Sequence, residues 1–304
     1  MLTKLFSESR GTAGAIFRIL ANARSTSLNH ELLGNSVTGA PFQVRREDGV
    51  AYAAATNDQH AAYSAPDGVA PPLFAVKILA GPIARLLLHR DLGMNLLRML
   101  HGEQAFTFLK PLRYGRNVIP TATITGFREV GTGEILDMSL DIRTEDNEKL
   151  LTGSSSFFLT KGGGEKGKGA GKKAAPDGAP FPADAPGHFS RAFETDKGQP
   201  TRYAAASGDR NPIHTNNTAA RLAGLPRPIM HGLCMMALAG REVLAMQDAD
   251  PTSLRELSLR FARPAFPGSR YVILGANAAD RGVDFVVLDE KDRPILSRGH
   301  AVLK

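Results

Sequence analysis

Two segments lying 151 residues apart carry almost the same heptapeptide. Tyr52 to Asp58 reads YAAATND and Tyr203 to Asp209 reads YAAASGD, identical at five of seven positions. A second pair follows at an offset of 153: FLKPLRYG from Phe108 and FARPAFPG from Phe261 share Phe, Pro and Gly. Self-similarity at this spacing makes the 304-residue chain two copies of one unit, and the fold must be one that two such copies can share. Between the copies, residues 161–187 read KGGGEKGKGAGKKAAPDGAPFPADAPG. That composition buries too little apolar area to order itself and reads as a flexible linker.

Each Phe/Pro/Gly motif is followed by three segments with the period-two alternation of strands. They are Asn117–Phe127, Ile135–Arg143 and Leu150–Leu159 in the first half, and Arg270–Ala276, Val283–Leu288 and Ile295–Leu303 in the second. The polar runs TEDNEK and DEKDRP read as turns between the last two strands of each half. Upstream lies one long apolar helix per half, Leu73–Leu88 and Ile229–Met246. A helix apolar nearly all round needs cover on every side, and a sheet wrapped around it is the economical solution. Met230, Cys234, Met235, Met236 and Met246 read as residues of that helical core. His101-Gly102 reads as a turn that starts a strand.

Composition narrows the function. The net charge is +7, but residues 1–24 carry a surplus of three and residues 161–188 a surplus of two. The folded halves are therefore almost balanced and present no basic recognition helix, which argues against nucleic acid as a partner. His231, Arg241 and Glu242 interrupt the longest apolar stretch, so it reads as a buried helix and not a membrane span. The single cysteine, Cys234, allows no internal disulfide and no Cys cluster, which suits a reducing compartment. The N-terminal run MLTKLFSESRGTAGAIFRILANAR fits a helical extension of a cytoplasmic enzyme; the alternative is a mitochondrial transit peptide.

The segment YAAASGDRNPIHTNNTAARLAGLPRPIMHG, residues 203–232, carries the chemistry. Ser207-Gly208-Asp209 and Asn211-Pro212 are turn formers, and Thr215 is a candidate N-cap for a short helix ending at Gly224. Asp209 and His214 then share one loop. A carboxylate and an imidazole so placed can grip a water between them; the plainer reading is a turn cap and a buried histidine.

The stretch SGDRNPIHTNNTAA resembles the signature of the R-specific enoyl-CoA hydratases (hydratase 2, or MaoC-like dehydratases), with matches at Gly208, Asp209, Asn211, Pro212, Ile213, His214 and Ala220. RPIMHG resembles that family's entry into its central helix. The resemblance implies an α+β double hot-dog, two repeats each with an antiparallel sheet wrapped around a long central helix. It also implies water addition to trans-2-enoyl-CoA, with Asp209 and His214 as the acid/base pair and the Gly232 amide as oxyanion donor. Gly208, Asn211 and Arg210 would bind substrate or shape the loop; Arg202 and Arg227 are further candidates for coenzyme A phosphates. No cofactor or metal is implied, since coenzyme A is part of the substrate. The sequence leaves acyl-carrier-protein thioesters, a dehydratase direction and a non-catalytic thioester-binding role as alternatives, and a homodimer or a pseudo-dimeric monomer as assemblies. The first half departs from the pattern. Asp58 survives in TNDQHAAY without the Asn-Pro and His, and alignment on the proline sets Ala75 and Val76 where His231 and Gly232 stand. The expected organisation is an extension (1–30), a degenerate repeat (31–160) that covers the acyl chain, a linker (161–188) and a catalytic repeat (189–304).

If the linker lies outside the folded body, deleting Gly162 to Lys173 will leave the thermal midpoint and the activity close to those of the full chain. A collapse of either would assign the segment to the folded body.

Overall fold

The computed structural model of the chain describes residues 25, 27–96, 98–160, 181, 184–279 and 281–304. The N-terminal run 1–24 and the Gly/Lys run 161–180, which hold most of the extension (1–30) and linker (161–188) readings, lie outside the described residues, whereas the Pro186 carbonyl near the linker's end accepts from the Asn277 amide at 2.9 Å. Eleven described strands form one sheet: β1 (Ser36–Thr38), β2 (Phe42–Gln43), β3 (Met99–Phe108), β4 (Asn117–Val130), β5 (Gly133–Thr144), β6 (Lys149–Thr160), β7 (Phe189–Glu194), β8 (Leu254–Phe261), β9 (Arg270–Asn277), β10 (Gly282–Leu288) and β11 (Pro294–Leu303). Their order is β1-β4-β5-β6-β3-β8-β11-β10-β9-β7, with β2 also beside β4, and the pairs are antiparallel.

Alternation does the sorting. On β5, Leu136, Met138, Leu140 and Ile142 are buried on one face while their neighbours look outward. The described α-helices are α1 (Arg46–Ala55), α2 (Ala75–Leu87), α3 (Gln199–Ser207), α4 (Asn217–Leu222) and α5 (Gly232–Met246). The two apolar segments become α2, packed against β4 and β1, and α5, packed against β8 and β11. Leu79 on α2, and Cys234, Met236, Leu238 and Val243 on α5, are fully enclosed. Such close-packed burial, at about 25 cal/mol per Å² of apolar surface, is the main force holding each helix in its sheet.

The halves meet at one strand pair. β3 and β8 pair with Glu103 opposite Arg260, Ala105 opposite Ser258 and Thr107 opposite Glu256. Ala105 and Ser258 are 153 apart, the offset of the two Phe/Pro/Gly motifs, so the register has the two-fold symmetry of the repeat. The duplicated YAAA segments lie in α1 and α3, which pack on each other. There the buried Tyr52 and Tyr203 hydroxyls meet at 3.2 Å, and the Gln199 side chain donates to the Ala55 carbonyl at 3.2 Å.

Three expectations are corrected. His101-Gly102 lies inside β3 at a bulge, where the pairing with β6 shifts between His101 and Glu103, and is not a turn that starts the strand. The N-cap of α4 is Asn216, not Thr215: the Asn216 side chain reaches the Ala219 amide at 2.9 Å, whereas Thr215 closes the preceding 3₁₀ turn. Met246, at the end of α5, is 38% exposed, because the chain turns away there. No described helix is long and apolar enough to cross a membrane.

The tyrosine pair gives a test of the junction. Tyr52→Phe and Tyr203→Phe each leave one buried hydroxyl unpaired and should cost about 1–2 kcal/mol. The double variant should cost less than the sum of the two in urea denaturation, and additive losses would mean that the hydroxyls do not interact.

Candidate active site

The site begins where α3 ends. Gly208 takes the left-handed conformation (φ 81°) that closes the helix, a conformation costly for residues with a Cβ. The Asp209 amide then donates to Ser207 Oγ at 3.1 Å, and the Asn211 amide donates to Asp209 Oδ1 at 3.1 Å. Asn211 Oδ1 in turn accepts from the Ile213 amide at 3.3 Å and caps the 3₁₀ turn Pro212–His214. These short side chains stitch the loop, so that the buried His214 is held opposite the part-buried Asp209.

The imidazole has one available orientation. Its Nδ1 lies 3.0 Å from the Ile229 carbonyl, which can only accept, so Nδ1 carries the proton and Nε2 presents a lone pair. His231, the residue before α5, is tied to the same loop: its Nε2–H donates to the Asp209 carbonyl at 3.0 Å. The His214 and His231 rings stack with centroids 3.8 Å apart, and Tyr203 lies against His231 at 4.9 Å. The donor atoms of Asp209, His214 and His231 lie within 4.8 Å of one another. No zinc-like spacing links these three in the sequence; the docking of the loop on the helix start assembles them. One carboxylate and two imidazoles are thus brought together where the loop meets the helix start.

Gly232 opens α5, and among the described residues its amide has no acceptor. A Cβ there would meet the Phe261 ring at 3.0 Å, so glycine lets the helix start lie against that ring. A free amide at the positive end of a 15-residue helix is a suitable donor to a developing oxyanion. Of the candidate arginines, Arg210 is exposed on the loop. Arg202 pairs with Asp196, and Arg227 donates to the Pro267 carbonyl while lying 4.6 Å over the Phe266 ring. Glu242, deep on α5, is clamped by Arg191 and Arg241.

The first repeat builds the same frame with other contents. The Ala70 amide donates to the Leu112 carbonyl at 2.8 Å, duplicating the Met230 to Ala265 bond of 2.8 Å. Leu112 and Ala265 are repeat equivalents, so Pro71 and Pro72, not Ala75 and Val76, stand where His231 and Gly232 are in the second repeat. Proline has no N–H to offer an oxyanion. Asp58 accepts from the Tyr63 hydroxyl at 3.0 Å and the His60 amide at 3.3 Å, and burial raises its carboxyl above the ordinary value.

Residues 181–285 match the family model described as the MaoC like domain, and residues 31–152 match the FAS1-like dehydratase domain region. Among curated proteins, the chain is similar to enoyl-CoA hydratase 2, peroxisomal, of Arabidopsis thaliana, 28% identical over 180 residues that cover 57% of this chain and 58% of that protein. The match therefore spans little more than half of that relative. Among solved structures, a MaoC-like dehydratase from Phytophthora capsici superposes with a TM-score of 0.72 at 23% identity, over 90% of this chain and 96% of that one. A Mycobacterium tuberculosis protein described as having a double hotdogfold superposes with a TM-score of 0.62 at 12% identity, over 90% of this chain and 96% of that one. The fold is the double hot-dog.

Burial sets the protonation of the site's histidines. It holds His214 below its ordinary value, and together with the stacked His214 it takes His231 down to about 3. His101 is lowered by burial to about 4. An unfolded histidine takes a proton near pH 6.5, roughly, so below that pH unfolding takes up protons that the native state excludes. Stability should be complete above about pH 6.5 and fall below it, by about 1.4 kcal/mol per histidine per pH unit at most. Urea midpoints at pH 7.5 and 5.5 measure this, and equal midpoints would contradict the neutral assignment.

Proposed function

We propose that this chain, whose residues 181–285 match the MaoC like domain, adds water reversibly across the C2=C3 bond of a trans-2-enoyl-CoA to give the (R)-3-hydroxyacyl-CoA. The observation that carries the reading is the clustering of the Asp209 carboxylate with the His214 and His231 imidazoles, one ligand atom of each within 4.8 Å of the others, on a loop tied to the helix start that presents the Gly232 amide.

A water between the two acceptors donates one hydrogen to Asp209 and the other to His214. As its oxygen bonds to C3, one proton passes to the pair, and the C2=C3 electrons move toward the thioester carbonyl. The Gly232 amide and the α5 dipole stabilise the enolate-like charge. The pair then returns a proton to C2, so H and OH have added and the chain is unchanged. Loss of water from the alcohol follows the same steps in reverse. The reaction involves no net oxidation or reduction and calls for no redox cofactor. His214 enters neutral because it is buried, and its tautomer is maintained by the Ile229 carbonyl. Asn211 and Gly208 shape the loop and have no part in proton transfer. The first repeat, with Pro72 at the oxyanion position and Asp58 engaged by Tyr63, covers the acyl chain and turns nothing over.

Hydration of short and medium trans-2-enoyl-CoA, followed by the loss of enoyl absorbance and chiral analysis, tests the reading. Asp209→Asn and His214→Gln should each lower kcat by about 10²–10⁴ with the fold intact, and the product should be the (R)-alcohol. Binding of the thioesters without turnover by the wild type would replace catalysis with a carrier or binding role.

A further inference from the structure

The two-fold register of β3 and β8 brings a residue of the first repeat into the second repeat's site. On the 153 offset, Phe108 corresponds to Phe261 and Leu254 to His101, while the duplicated backbone bond makes Pro72 the counterpart of Gly232. Pro72, Phe108 and Leu254 together line a cleft beside the first repeat's helix start. The image of that cleft under the pseudo-two-fold is lined by Gly232, Phe261 and His101. Direct contacts agree. The His101 ring lies 4.7 Å from the Phe261 ring, and Phe261 lies against Gly232. His101 also stacks on Phe157, its cross-strand partner on β6, at 4.8 Å; Phe157 is buried, so both side chains are on the inner face of the sheet. The His101 ring also interacts with the Gln104 side chain and the Glu103 backbone, and more weakly with the charge of Asp209.

The two clefts differ where it matters chemically. At the first repeat's cleft, Pro72 has no amide hydrogen and Leu254 no polar atom. At the second, Gly232 has a free amide and His101 an Nε2 that is buried with no hydrogen-bond partner. A buried imidazole nitrogen left unmatched between two phenylalanine rings is unfavourable, and its presence on the catalytic side alone points to a partner that arrives with the substrate.

We propose that His101, supplied by the non-catalytic repeat, is a substrate-contacting residue of the catalytic groove, its Nε2 hydrogen-bonding the acyl thioester whose carbonyl is held at Gly232. The inference rests on the thioester reading of the site. It gives the first repeat a polar contribution to the groove in addition to cover for the acyl chain.

Titration of the saturated thioester butyryl-CoA into the full chain reads the contact without turnover. His101→Leu, which installs the residue found at the equivalent position, should weaken binding about tenfold, the worth of one desolvated hydrogen bond, while the thermal midpoint stays level or rises. His101→Gln, which keeps a polar terminus, should recover most of the affinity, a recovery that a purely packing role would not produce. Unchanged affinity in His101→Leu would overturn the proposal. Should His101→Leu fail to fold, nitrogen-15 NMR of the wild type, with His101→Gln for assignment, replaces it: the His101 Nε2 resonance must move on saturation with butyryl-CoA, and a static resonance would overturn the contact. A wild type that binds butyryl-CoA but hydrates no enoyl-CoA would sink the proposed reaction and leave the His101 contact to be judged on affinity alone.

Discussion

The antiparallel pairing of β3 with β8 is the contact on which the rest of the architecture depends. It joins two sheets into one and, because Ala105 faces its own repeat equivalent Ser258, it places the halves on a two-fold axis. Everything near that axis is shared: α1 packs on α3, Tyr52 meets Tyr203, and Arg241 of α5 reaches the Asn57 carbonyl at 2.7 Å. A groove at one repeat's helix start is therefore walled in part by the other repeat. A single repeat would leave the β3 or β8 edge unpaired and each groove without its far wall.

Within that symmetric frame the chemistry is asymmetric, and single atoms account for the asymmetry. Gly232 carries an amide hydrogen that Pro72 lacks. Asp209 keeps its carboxylate beside the His214 and His231 imidazoles, whereas Asp58 is engaged by the Tyr63 hydroxyl and no histidine stands at the matching position. Duplication supplies two frames, and only the second carries the polar atoms that the proposed hydration calls on.

The loop that carries Asp209 and His214 also illustrates how weak contacts combine into a defined geometry. Ser207, Asp209 and Asn211 each accept from an amide two residues along the chain, and the two histidines then bolt the loop to the α5 start through carbonyls of Asp209 and Ile229. Each such bond contributes only about 1 kcal/mol, yet together they leave one loop conformation and one tautomer of His214. Neutral, stacked and desolvated imidazoles are the electrostatic consequence of that closure.

Local pattern determined much of this protein by itself. Period-two alternation located strands such as β5 and β9, all-round apolarity located α2 and α5, and the duplicated heptapeptide announced two copies of one unit. The spacing Gly208-Asp209-x-Asn211-Pro212-Ile213-His214 puts Asp209 and His214 on one loop, because a loop of this length stitched by Asx turns determines its own geometry. Tertiary structure alone decided what depends on distant parts of the chain meeting. His231 joins Asp209 and His214 only because the α5 start docks on the loop. The equivalence of Pro72 and Gly232 rests on a backbone bond that a gapped alignment misplaced by several residues. His101-Gly102 reads locally as a turn because nothing nearby in the sequence reveals the bulge in β3 or the Phe261 ring that His101 meets across the two-fold. Register is a property of paired strands, and it is the register of β3 on β8 that carries a histidine of one repeat into the groove of the other.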